Sequence, residues 1–166
     1  MNLTVDALGH AKWGSRALRA ALGRGGVTAD KREGDHKTPV GSFLMRQLLY
    51  RPDRLAAPRT RLPVRPIAPG DGWCDAPADP AYNRLVRLPY GASHEDLWRE
   101  DAIYDLVVPL GYNDDPVVPG LGSAVFLHVA RPDWSGTEGC VALARDDLLA
   151  VLADADPTSR VVVRAA

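Results

Sequence analysis

Two residue types with the right chemistry stand close together near the end of the chain. His128 is followed twelve residues later by Cys140, across the polar segment Arg131-Pro-Asp-Trp134-Ser-Gly-Thr137-Glu-Gly139. An imidazole can take the proton of a thiol, and the thiolate is the nucleophilic form of cysteine. Gly139, directly before the cysteine, lets the backbone turn sharply. It also keeps bulk away from backbone N–H groups that can face a developing oxyanion. Taken singly, each residue has a plainer reading: a cysteine on a strand is often a small buried hydrophobe, and a histidine ending a strand is often structural. The His, Thr, Gly, Cys spacing is what favours a nucleophile and its base.

The neighbouring pattern says which elements must hold these groups. Ser123 to Val129 is an apolar run of strand length and is expected to be central, with His128 near its end. Cys140 to Leu143 reads as the next strand, so the facing ends of two adjacent strands would bring imidazole and thiol together. Further strands are expected at Leu3 to Leu8, Val40 to Tyr50, Ile103 to Leu110 and Val161 to Val163. Arg16 to Leu22 fits a strand or a short helix. Gly23 to Pro39 reads as a loop, and Asn113 to Pro116 as a turn. Asp146 to Ala153 has the spacing of an amphipathic helix, with Asp146 and Asp147 at its positive end. Ser93 to Asp96 resembles a capping box opening a second helix through Arg99. Arg51 to Asp79 and the residue just beyond hold seven of the 14 prolines, so regular structure is not expected there. The sum is a single, mainly β domain over residues 1–166 with one or two short helices.

Composition narrows the function. Twenty basic and 21 acidic residues nearly cancel, which leaves no bulk field for nucleic acid or an anionic membrane. Two cysteines are too few for a disulfide scaffold. The four histidines do not pair with cysteine at zinc-finger spacing. No metal or other cofactor is expected; a zinc site from His128, Cys140 and another histidine is a weaker reading. The first residues carry no cationic segment followed by an apolar run, and no apolar stretch reaches membrane-spanning length. The expectation is therefore a cytoplasmic protein, or a periplasmic one if a leader has been removed.

The His-to-Cys segment resembles the catalytic domain of the L,D-transpeptidases (the YkuD type), whose motif is a strand histidine, a loop, then Ser/Thr-x-Gly-Cys and an aliphatic residue. Here those positions are His128, Thr137, Glu138, Gly139, Cys140 and Val141. The likeness extends upstream. Lys31 to Gly41 is similar to the family's Gly-Asp…Thr-Pro-x-Gly segment, and Trp73-Cys-Asp, Tyr82-Asn83, Gly111-Tyr-Asn113 and Gly122 to His128 are similar to one proteobacterial branch. The chain departs from the pattern at Val129 and Ala142, where many members carry Gly or Ser, and Arg or Asn. The loop between histidine and cysteine is also shorter than in many members.

The resemblance implies a β-sandwich or barrel and a thioester enzyme cleaving the L-diaminopimelate–D-Ala bond of peptidoglycan stem peptides. It implies Cys140 as nucleophile, His128 as base, backbone donors at Gly139 and Cys140 for the oxyanion, and the Val129 carbonyl as the third element. Arg131 lies close enough to His128 to bind a substrate carboxylate. Thr137, Trp134 and Tyr112 are candidate substrate-binding residues, with core packing the competing reading for both aromatics. Cys74 and His36 read as a structural thiol and a solvated loop residue. Without a leader, water is slightly favoured over an amine as acceptor, giving an L,D-carboxypeptidase of muropeptide recycling rather than a crosslinking enzyme. Papain-like enzymes have the reverse order of cysteine and histidine, and sortase-like enzymes need a distant histidine and a downstream arginine. A non-catalytic wall-binding module is the alternative outside enzymes.

Overall fold

The computed structural model describes residues 1–165. In chain order the strands are β1 (Asn2–Val5), β2 (His10–Trp13), β3 (Arg16–Ala21), β4 (Val27–Thr28), β5 (Thr38–Pro39), β6 (Gly41–Leu44), β7 (Leu48–Tyr50) and β8 (Val64–Pro66). They continue as β9 (Asp71–Cys74), β10 (Leu85–Arg87), β11 (His94–Asp96), β12 (Leu106–Pro109), β13 (Phe126–Val129) and β14 (Val141–Leu143). Helix α1 (Arg145–Asp154) precedes β15 (Arg160–Val163). The fold is mainly β, as expected, with one helix among the described residues.

Ten strands form one sheet in the order β6-β15-β1-β2-β3-β14-β13-β12-β7-β8. Consecutive strands β6 and β7 lie toward opposite ends of that order, so the sheet curls on itself. Bonds from Arg46 N–H to the Pro109 carbonyl (3.0 Å) and from Gly111 N–H to the Leu44 carbonyl (2.8 Å) tie the β6 edge back to β12. A sheet of this width curls because each strand adds right-handed twist.

The central strands are buried on both faces, which is why their sequences are apolar without alternation. Leu127 and Val129 of β13, Leu106 and Val108 of β12, and Val141 and Leu143 of β14 face the main core. That core also takes Leu148, Val151 and Leu152 of α1. On the opposite face Phe126, Val107, Leu49 and Cys140 join a smaller cluster with Leu97, Ile103 and Tyr104. A second sheet, β10-β9-β11, rises on that side and contributes Trp73, whose ring meets Phe126 edge-on at 5.1 Å.

Four expectations are corrected. Ser93 to Arg99 forms no helix: His94–Asp96 pairs with β9, and that ladder, not a cap, satisfies its backbone. The proline-rich stretch contains β8 and β9. β8 lies at the sheet's edge, where proline is tolerated, and β9 has no proline. Val40 to Tyr50 is two strands separated by the crossing at Met45–Gln47. Gly23 to Pro39 carries the paired strands β4 and β5. Arg16–Ala21, left open between strand and helix, is a strand.

Candidate active site

β13 and β14 run parallel, with His128 opposite Ala142 and Leu127 opposite Val141. Side chains two residues apart share a face, so Cys140 and Ala142 lie on the same side as His128 and Phe126. This corrects the expectation of facing strand ends. In a parallel pair the end of one strand meets the end of the next, and Cys140 falls one same-face step away from His128, about 7 Å along the strand. Both residues line one cleft of about 710 Å³. Cys140 is 7% exposed and His128 4%.

His128 Nδ1 meets the Val129 carbonyl at 2.9 Å. That contact places the N–H on Nδ1 and leaves Nε2 with its lone pair, the form a base requires. Tyr104 packs edge-on against the imidazole at 5.4 Å and holds its plane. Burial is the main cause that pulls His128 down to about 4, against the opposing pull of the Val129 carbonyl. Burial likewise pushes the Cys140 thiol up to about 12, helped by the Glu95 charge and opposed by the Phe126 amide and Lys31. At neutral pH both groups are therefore uncharged.

The thiol does not bond to the imidazole in this state. Cys140 Sγ–H donates to the Ala124 carbonyl at 3.2 Å, and the Phe126 N–H donates to Sγ at 3.4 Å. To bond to His128 Nε2, the thiol has to leave the Ala124 oxygen.

Two hydroxyls fix the backbone of Cys140. Thr38 Oγ1 donates to the Cys140 carbonyl at 3.2 Å and accepts from Gly23 N–H at 2.8 Å. Thr137 Oγ1 donates to the same carbonyl at 2.8 Å and accepts from Gly139 N–H at 3.1 Å. The Gly139 amide is thus committed to Thr137. Gly139 itself sits at φ +135°, and a Cβ there would lie 2.9 Å from the Lys37 carbonyl. Only glycine fits both demands.

Charge is sorted around the cleft. Its basic side chains have acidic partners: Lys31 with Asp35, Arg99 and Arg131 with Asp101, Arg24 and His36 with Glu138. Glu33, Asp75 and Glu95 line the same cleft. Glu33 accepts from Tyr82 and Ser123, and Glu95 from Tyr104. Asp75 Oδ1 is buried with no hydrogen-bond partner among the described residues. Burial first, then the charges of Asp75 and Glu33, hold the Glu95 carboxyl above its ordinary range despite the Tyr104 hydroxyl.

Compared with known protein families, residues 9–163 of this chain match the L,D-transpeptidase catalytic domain (YkuD). The chain belongs to that family. An L,D-transpeptidase-family domain works on peptidoglycan, and the match spans nearly all of the 166 residues, taking in every strand of the central sheet except β1. No curated protein and no solved structure gave a match.

The sequence candidates divide within this L,D-transpeptidase domain. Cys140, His128, Gly139, Thr137 and Arg131 line the cleft. Val129 supplies its carbonyl to His128 and points its side chain into the main core. Trp134 lies outside, under the Arg19 guanidinium (4.3 Å), beside a neighbouring cavity of about 680 Å³. Tyr112 is also outside: its ring packs on Phe43 and its hydroxyl donates to the Leu121 carbonyl. Cys74 is fully buried, and His36 is held by Glu138 at the rim. Sequence reasoning missed Lys31, Glu33, Asp75, Glu95, Arg99 and Tyr104. Lys31 and Glu33 stand in the segment leading to Gly-Asp…Thr-Pro, and Asp75 in Trp73-Cys-Asp, so these were within reach; Glu95, Arg99 and Tyr104 come from separate strands and loops with no shared motif.

Proposed function

We propose that Cys140 is the nucleophile and His128 the general base of a thioester mechanism acting on stem tetrapeptides of peptidoglycan. The observation that carries this reading is the placement of thiol and neutral imidazole on one face of adjacent strands, in one cleft. His128 Nε2 takes the Sγ proton as sulfur attacks the carbonyl between the L-centre of diaminopimelate and D-Ala. The C–N bond then breaks, D-Ala leaves with a proton returned by His128, and an acyl-thioester stays on Cys140. The charged lining suits such a donor: diaminopimelate brings an ammonium that Glu33, Asp75 and Glu95 can face, and D-Ala brings a carboxylate for Arg131 or Arg99.

Water completes the cycle in our reading, giving an L,D-carboxypeptidase that trims muropeptides, as a cytoplasmic enzyme of recycling would. A cleft with several charged side chains in its lining admits water, and water needs no second binding site. The competing reading, 3→3 crosslinking, is favoured by the adjoining cavity beside Trp134, which shares Ile103 and Arg131 with the cleft and has room for an acceptor stem. Incubating the protein with a disaccharide tetrapeptide separates the two by mass spectrometry. Tripeptide without dimers is the expected outcome, and dimers without tripeptide contradict the hydrolase. Cys140→Ala is expected to give neither product; undiminished turnover by that variant contradicts the mechanism itself.

A further inference from the structure

Ala124 stands at φ +52°, a left-handed conformation that a residue with a Cβ rarely adopts. Its carbonyl is the one that receives the Cys140 thiol, and it lines the cleft. The conformation has an identifiable cause. Asn83 Oδ1 accepts the Ala124 N–H at 3.0 Å and the Trp73 Nε1–H at 3.0 Å. Asn83 Nδ2 donates to the carbonyls of Tyr112 (3.1 Å) and Asn113 (2.8 Å). Asn83 is 6% exposed and is itself left-handed, at φ +57°, which asparagine tolerates. Every polar atom of its side chain is used. Four segments of the chain thus meet at one amide, and that amide holds the N–H of Ala124, the residue whose own carbonyl oxygen, one peptide further on, faces Cys140.

We propose that Asn83 is a positioning residue that acts on Cys140 through Ala124, aiming the Ala124 carbonyl so that the thiol rests protonated and turned away from His128. A carbonyl oxygen accepts from S–H but repels a thiolate, whereas the Phe126 amide favours the thiolate. The Ala124 contact therefore adds to burial, the main cause of the raised thiol pKa, in favouring the protonated resting form. Activation exchanges one bond for another: the S–H···O contact is given up, Sγ–H turns to His128 Nε2, and on attack the proton passes to that nitrogen as the S–C bond forms. The proposal rests on Cys140 being the nucleophile, but its test needs no substrate, so it can fail while tetrapeptide cleavage stands.

The test is the pH dependence of Cys140 alkylation by iodoacetamide, quantified on the Cys140 peptide by mass spectrometry. Asn83→Ala removes the acceptor of the Ala124 N–H and so frees Ala124 to leave its left-handed conformation. The expected result is a lower midpoint of the profile and alkylation at pH 7 faster by about threefold to tenfold, the effect of losing one net hydrogen bond to the thiol. An unchanged midpoint in a folded Asn83→Ala protein overturns the proposal. If that variant fails to fold, the Raman S–H stretch of the wild-type protein decides, isolated by difference against Cys140→Ser. A band lowered by a carbonyl acceptor supports the contact, and a band at the free-thiol position overturns it.

Discussion

Burial decides what His128 and Cys140 can do at rest. With the imidazole drawn down to about 4 and the thiol pushed up to about 12, the two are neutral across the ordinary range and form no standing ion pair. In the proposed mechanism the proton then moves during attack. A base must be unprotonated, so activity is lost only as pH falls through the lowered histidine pKa. We expect kcat/KM to hold from pH 7 down to about 5 and to fall toward 4; a break at 6.5 or above would contradict this assignment. The same shift weakens folding as pH drops from about 6.5 toward 4, because the unfolded chain takes a proton there that the folded one refuses. Thr38 offers a second test. Thr38→Val strands the Gly23 N–H and leaves the Cys140 carbonyl with Thr137 alone. The expected cost is about 1–3 kcal/mol, seen as a Tm lower by roughly 2–4 °C per kcal/mol, together with reduced turnover. An unchanged Tm and rate would remove Thr38 from the site. His128, Thr137, Gly139 and Cys140 were legible as a spacing. The resting bond from the thiol to Ala124 was not, because it depends on a left-handed alanine held by an asparagine 41 residues upstream.

At the scale of elements, β13 carries the site because it is buried on both faces, with Leu127 in the main core and His128 in the cleft. Leu127→Ala opens a cavity on the face away from the chemistry, where the side chain is fully buried. A loss of about 2–5 kcal/mol is expected in urea unfolding, and a loss under 1 kcal/mol would mean the strand is not packed as described. The strands read most easily were those with apolar runs, β12, β13 and β15, and the helix was right to within a residue at either end. Strand β11 was misread because Ser93, Glu95 and Asp96 satisfy a capping pattern locally, while the deciding interaction is the ladder to β9, about twenty residues away. Proline density hid β8 for a similar reason: only the topology shows that it is an edge strand.

Across the whole molecule, the curled sheet joins two cores that share β12 and β13 as a common wall, with Cys140 just before β14 on the side of the smaller one. Trp13 lies in one core and Trp73 packs against the other, so tryptophan fluorescence reports on both. We expect fluorescence and circular dichroism to give one superimposable unfolding transition; two separated transitions would show that the β9–β11 sheet and its cluster fold as an independent unit. Net charge, −1, says little of function at this scale, because the charges that matter are gathered in the cleft. The central claim is that Cys140 carries the acyl group, and intact-protein mass spectrometry during turnover of a disaccharide tetrapeptide tests it most directly. The account predicts a covalent adduct of the donor less D-Ala, mapped to the Cys140 peptide and missing from Cys140→Ala. An adduct on another residue, or one that persists in Cys140→Ala, would contradict it.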